Sequence, residues 1–150
     1  MEAIIFCGIQ GSGKSTFFLQ NFYHTHVRLN LDMLKTRHRE NILLHACLAA
    51  QQPFVVDNTN PTAAGRGRYV ALAKAAGFRV SGYYFPSTLE SALARNARRV
   101  GKQQIPPHAV AATLKRLEPP TPAEGYDAFY TVAIGGDGKF VVEPRDGHQV

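Results

Sequence analysis

A chain of 150 residues with 45% hydrophobic and 19% charged side chains has the balance of a folded globular protein, not of a disordered or fibrous one. Its apolar runs fall far short of the ~20 residues a membrane span requires, and two cysteines are too few for a disulfide-rich scaffold. The net charge of +6 disfavours purely cationic partners and suits polyanionic ones, because clustered Lys and Arg lower the free energy of a phosphate-rich ligand.

In chain order, the apolar run "AIIFC" begins almost at once and reads as a buried strand, followed by a glycine-rich turn and the helical stretch "KSTFFLQNF". No basic leader or cleavage site precedes that strand, so a cytoplasmic protein is expected. In "HVRLNLD", Val27 and Leu29 alternate with polar neighbours, and Asp32 has the side chain of a helix cap, which predicts one helix over 32–51. "PFVVDNTN" predicts a second buried strand that breaks into a polar turn. Pro61 and Thr62 then open a helix that stops at Gly77. "FRVSGYYF" is a further strand, "TLESALARNARR" a helix opened by Pro86 and Ser87, and "PPHAVAATLKRL" a short helix ended by the prolines at 119 and 120. The tail "FYTVAI", "GGDG", "KFVVEP" predicts a β-hairpin over about 128–143. Cys7 and Cys47 fall in apolar segments and read as buried thiols.

Strands alternating with helices predict an α/β fold: an open parallel sheet with helices on both faces, in one domain over 1–150. Ligands of such sheets sit beyond the carboxyl ends of the strands. Gly8, Gly13, Lys14 and Ser15 satisfy G-x-x-x-x-G-K-[ST] between a strand and a helix, the context in which that pattern forms a P-loop. Glycines let the backbone N–H groups of Gly11, Ser12 and Gly13 turn inward toward phosphate, Lys14 reaches the β- and γ-phosphates, and Ser15 can ligate Mg²⁺. Thr16 pads the site. The expected ligand is a nucleoside triphosphate, ATP with Mg²⁺.

Phosphoryl transfer also needs a carboxylate for the acceptor's proton and cations for the migrating group. Asp32 and Asp57 both follow strands and are the candidate acids, although each residue type also serves as a local cap. Arg95, Arg98 and Arg99 fall three and four apart on one helix face, and predict a lid over about 95–106.

These residues carry a family resemblance. "GIQGSGKSTF", "LNLDML", "VVDNTNPTAAGRGRYVALAKAAGF", "TLESALARNARR" and "PTPAEGYDAF" resemble the kinase domain of the polynucleotide 5′-hydroxyl kinases, with "DNTNP" and its following helix the more specific part. The resemblance implies ATP- and Mg²⁺-dependent phosphorylation of a DNA or RNA 5′-hydroxyl end. By position, it implies Asp32 as general base, Lys14 and Ser15 as ATP and metal contacts, and Arg99, partnered by Arg95, on the transferred phosphoryl group. Asp57 would hold a water of the magnesium shell, and Asn58, Thr59 and Asn60 would shape the acceptor side. Glu124, Gly125 and Tyr126 would pass near the nucleotide base. Lys35, Arg66 and Arg68 are the candidate strand-holding cations.

Two departures stand out. Leu31 occupies the place where the family has an arginine before the aspartate, and no D-x-D-G-T phosphatase motif occurs in the 150 residues, so full end healing is expected to need a separate phosphatase or ligase partner. The same Lys14, Asp32 and arginine lid also suit a P-loop kinase of a sugar, nucleoside or antibiotic, or an ATPase without an acceptor. ADP production that depends on an added 5′-hydroxyl oligonucleotide separates the three.

Overall fold

The computed structural model describes residues 1–101 and 104–145. Strand β1 (Glu2–Cys7) feeds helix α1 (Lys14–Asn21), and β2 (Val27–Leu29) feeds the short α2 (Leu31–Leu34) and then α3 (Arg37–Ala50). After β3 (Phe54–Val56) come α4 (Ala63–Ala75), β4 (Arg79–Tyr84), α5 (Leu89–Ala97) and α6 (Pro107–Arg116). A 3₁₀ turn at Pro122–Glu124 leads to β5 (Ala128–Ile134) and β6 (Phe140–Arg145).

The strands form a six-stranded sheet in the order β2-β3-β1-β4-β5-β6. All neighbouring pairs are parallel except β5 and β6, which form the expected antiparallel hairpin. Alternation along β1 splits the core. Ala3 and Ile5 face α3 and α4 with Leu44, Tyr69 and Val70, whereas Ile4 and Phe6 face α1 with Phe17 and Phe18. β1 is buried on both faces, as a central parallel strand must be, which is why its sequence is a continuous apolar run. Helices on both sides confirm the α/β class. Cys7 and Cys47 are buried free thiols. Among the described residues no helix is long and apolar enough to cross a membrane.

The predicted helix over 32–51 is in fact two. Asn30, not Asp32, caps the first, its side chain accepting from the Met33 backbone N–H at 3.0 Å. Lys35 then takes φ 75°, which stops the helix, and Thr36 caps α3 by accepting from Arg39 N–H. A cap two residues earlier leaves the Asp32 carboxylate exposed in the first turn with no capping duty. Thr62 and Thr88 cap α4 and α5 in the same way, so the second of these helices opens a little later than Pro86 and Ser87 suggested.

Candidate active site

From the carboxyl end of β1 the chain curls through Gly8–Gly13 into α1. Gly11 and Gly13 have φ of 81° and 98°, and neither has room for a side chain. A Cβ at Gly11 would lie 2.5 Å from the Ala92 carbonyl oxygen of α5, and one at Gly13 would lie 3.0 Å from the Phe140 ring of β6. Lid helix and hairpin therefore clamp the loop from two sides. Lys14 is buried, and its Nζ donates to the carbonyls of Gly8 and Ile9 at 2.8 and 2.9 Å. Burial pushes its pKa down to about 8; the carboxylates of Asp57 and Asp32 oppose that shift, and Arg99 adds to it.

Ser15 Oγ donates to Asp57 Oδ2 at 3.2 Å. Asp57 is fully buried, and its Oδ1 has no hydrogen-bond partner among the described residues. A buried carboxylate oxygen left unsatisfied is costly, and one beside the P-loop serine fits the water shell of Mg²⁺, an ion that keeps several waters and takes few protein oxygens. Ser15 and Asp57 thus fit the metal role. Arg28 of β2, which the sequence reading passed over, shares both groups: its Nε donates to Asp57 Oδ2 at 2.8 Å and its Nη2 to Ser15 Oγ at 2.9 Å.

On the other flank, α5 and α6 pack through Ala92, Val110 and Ile9. Asn96 binds both the N–H and the carbonyl of Ile105, closing the segment between the two helices. Arg95 Nη1 donates to the Gly11 carbonyl at 3.1 Å. Arg95, Arg98 and Arg99 line a cavity of about 340 Å³ together with Gly11, Gly13 and Thr16, so the three arginines meet the P-loop, but not as one helix face: α5 ends at Ala97, and Arg98 and Arg99 follow it. Positions 102 and 103 of the expected lid lie outside the described residues.

A second cavity, of about 530 Å³, is lined by Leu31, the residue before the exposed Asp32. The turn 58–60 forms its floor, and Arg37, His38, Arg68 and Arg116 stand on its walls. Each turn residue is locked from beneath. Asn60, at φ 46°, donates from Nδ2 to the Phe6 carbonyl at 2.7 Å, and the Thr59 carbonyl accepts from Gly8 N–H at 3.0 Å. Asn58 Oδ1 accepts from Leu31 N–H at 2.9 Å, while its Nδ2 donates to Glu40 Oε2 at 2.9 Å. Glu40 is fully buried on α3 and also accepts from Tyr69 Oη and Arg37 Nη1. A chain of hydrogen bonds thereby runs from α4 through Glu40 and Asn58 to the backbone just before Asp32. Lys35 is exposed at the end of α2, and Arg68 is exposed and bonded to Asn41.

One expected contact is corrected. Arg66 is not a surface cation: it is fully buried, with its guanidinium donating to both oxygens of Glu124 at 2.8 and 2.9 Å, to the Asn60 carbonyl at 2.8 Å and to the Glu118 carbonyl at 2.8 Å. With its donors spent on the fold, it has none to offer a strand phosphate. Tyr126 precedes β5, and its ring packs over Gly82, where any Cβ would lie 2.7 Å away. Glu124 is the partner of Arg66.

Arg37 and His38 had a legible sign. Cations in the first turn of a helix oppose its dipole, so "TRHRE" at the start of α3 is an unfavourable arrangement unless something anionic is met there. Arg116 closes α6, where a cation is favoured anyway, and gives no such sign.

A sequence model described as an AAA domain matches residues 35–120, more than half of the chain. The chain belongs to that family. It is also 29% identical over 129 residues to the bifunctional polynucleotide phosphatase/kinase of Schizosaccharomyces pombe, a match covering 83% of this chain and 32% of that protein. The chain thus spans about a third of the length of this curated relative, and the resemblance read from the motifs is borne out. Among solved structures, Chaetomium thermophilum Kti12 in complex with ADP-AlF3 superposes with a TM-score of 0.65 at 18% identity, covering 87% of this chain and 88% of that one. A gluconokinase from Sinorhizobium meliloti 1021 does so with a TM-score of 0.64 at 17% identity, covering 88% and 82%. At such identities the likeness establishes the fold alone.

Proposed function

We propose that this protein transfers the γ-phosphoryl group of ATP, with Mg²⁺, to the 5′-hydroxyl end of a DNA or RNA strand. The observation that carries the reading is the cavity lined by Leu31, the residue before Asp32, where Arg37, Arg68 and Arg116 stand on the walls. Three guanidinium groups around the acceptor's entrance suit a polyanionic strand better than a neutral sugar. The similarity to a polynucleotide phosphatase/kinase supports the same substrate class.

In this reading Asp32 takes the proton of the 5′-hydroxyl, the oxygen attacks the γ-phosphorus, and the bond to the β-phosphate oxygen breaks to leave ADP. Lys14, Arg95 and Arg99 offset the charge that spreads over the migrating group, with Arg99 the arginine aimed at it. Ser15 as a ligand and Asp57 through water are the residues that would hold Mg²⁺, whose charge, when bound, offsets that of the phosphates. Lys35 and Arg68 hold the strand behind its end.

A small-molecule kinase is the second reading, favoured by one observation: Leu31, an apolar side chain, lines the acceptor cavity. The test offers labelled ATP with 5′-hydroxyl DNA and RNA oligonucleotides, nucleosides and gluconate over a salt series. Transfer to oligonucleotides, with an acceptor KM that climbs with salt while the KM for ATP stays nearly level, is the expected result. Transfer to a small alcohol alone, at a KM indifferent to salt, overturns the reading in favour of the second.

A further inference from the structure

One cation, Arg28, is bonded to both groups that would hold the magnesium. It lies at the centre of the three-residue edge strand β2, and its side chain crosses the carboxyl end of the sheet to Asp57 and Ser15. These are the two groups assigned to the metal above, so the inference rests on that assignment. The guanidinium also lies over the Phe18 ring of α1, 5.9 Å from its centroid. Asp57 is essentially unexposed, whereas the Arg28 side chain is 28% exposed. The anion is fixed and the cation has a way out.

The geometry does not serve both cations at once. Ser15 Oγ donates one proton to Asp57 and accepts one from Arg28. Ligation of Mg²⁺ brings a doubly charged ion and its octahedral shell of waters onto that same hydroxyl, directly against the guanidinium. Like charges within a few ångströms of one carboxylate repel, and in a half-buried site the repulsion is weakly screened. Without a metal, removing Arg28 would instead leave the buried Asp57 carboxylate with Ser15 as its side-chain hydrogen-bond partner and only the more distant charge of Lys14 to offset it, an arrangement that costs stability.

We infer that Arg28 is a resident counter-ion of the metal site, holding Ser15 and Asp57 in place in the nucleotide-free protein and leaving them when Mg²⁺ arrives with the nucleotide. Arg28 is thus a positioning residue that acts through Ser15 and Asp57. Because linkage is reciprocal, Arg28 weakens Mg²⁺ binding by the factor with which Mg²⁺ weakens its hold on Asp57. The protein consequently discriminates against the free nucleotide less sharply than a site with no built-in cation, since a positive group is present in either state.

The test is ADP binding to the full chain, measured by calorimetry across a Mg²⁺ series and in EDTA, for the wild type, Arg28→Met and Arg28→Lys. Methionine keeps an apolar stem against Phe18 and removes the charge; lysine keeps the charge and loses the two-pronged grip. In Arg28→Met the Mg²⁺ concentration for half-maximal enhancement of ADP binding is expected to fall about tenfold, within the roughly 5–150-fold range of ligand couplings. Its melting temperature in EDTA is expected to drop and to recover with Mg²⁺ by more than that of the wild type. Arg28→Lys should fall between. An unchanged or higher Mg²⁺ requirement in both variants overturns the inference and leaves Arg28 a plain structural partner of Asp57. ADP binding by the wild type that is indifferent to Mg²⁺ overturns the metal-site assignment itself, a failure visible without any variant.

Discussion

The two flanks of the crevice are built by different means. On the nucleotide flank the phosphate grip is backbone: the six-residue loop Gly8–Gly13, shaped by two glycines at positive φ, with one lysine folded onto its own carbonyls. On the acceptor flank the work falls to side chains from α3, α4, α6 and the turn 58–60, joined by the buried Glu40. A backbone site is specified by neighbours in sequence, and so it can be common to many enzymes. A side-chain site is specified by tertiary packing, and can be retuned one residue at a time without disturbing the grip. The contrast predicts that substitutions should separate cleanly into those that spoil ATP and those that spoil the acceptor.

The largest effect expected is from Asp32→Asn, which preserves shape and has no cap to lose. It should lower kcat by about 10²–10⁴ while ATP affinity, measured by calorimetry, stays level. Comparable loss of ATP binding would mean that Asp32 belongs to the nucleotide flank. Lys14→Ala should cost about 10²–10³ in kcat and weaken ATP, with no change in oligonucleotide affinity in a binding assay without nucleotide. If oligonucleotide binding weakened as well, the two flanks would not be independent.

Arg66 and Arg68 sharpen the comparison because they sit two residues apart. Arg66→Ala breaks a buried pair and strands Glu124, so denaturant titration should show a loss of about 3–5 kcal/mol. Arg68→Ala should leave stability nearly unchanged, and should raise the oligonucleotide KM severalfold at low salt and less at high salt. The reverse pattern would return Arg66 to the strand.

The smallest effect is in pH. Lys14 titrates near 8 in the nucleotide-free protein, and the phosphates bind its charged form. Nucleotide affinity should therefore hold below about pH 7 and decline above about 8, by at most about tenfold per unit, with proton uptake on binding in that range. For stability the sign is opposite. The depressed pKa means that the folded chain holds fewer protons than the unfolded one between about 8 and the ordinary lysine value of 10.5, so the cost of burying the ammonium is full below 8 and is relieved as pH rises toward 10.5.

What the sequence revealed follows the same division. The sheet, its hairpin and the P-loop were legible because each rests on local signals: apolar runs, glycine spacing, a turn tetrapeptide. The meeting of Arg95, Arg98 and Arg99 with the P-loop was legible from their spacing, but the end of α5 at Ala97, which puts Arg98 and Arg99 beyond the helix, was not. Arg66 was misread because an arginine near a helix start looks solvated unless one knows that Glu118 and Glu124, more than fifty residues on, fold back over it. Asp32 was credited with a cap because Asn30, two residues earlier, competes for that duty and wins with a similar side chain. Glu40 gave no sign, since one glutamate in an ordinary helix differs from another only through what the fold brings against it.

Arg66 also bears on how the chain reaches its final form. Its guanidinium holds the Asn60 carbonyl from one side, and the segment 118–124 holds the guanidinium from the other. During synthesis, the contacts that lock the floor of the acceptor cavity to Phe6, Gly8, Leu31 and Glu40 can form early, whereas the Arg66 brace is complete only when residue 124, some sixty positions after that floor, has emerged. The lysine contacts of the phosphate grip are local, but Phe140 of β6 closes on Gly13 only after residue 124 has emerged, so products truncated before 124 should lack both the brace of the floor and one clamp on the phosphate loop.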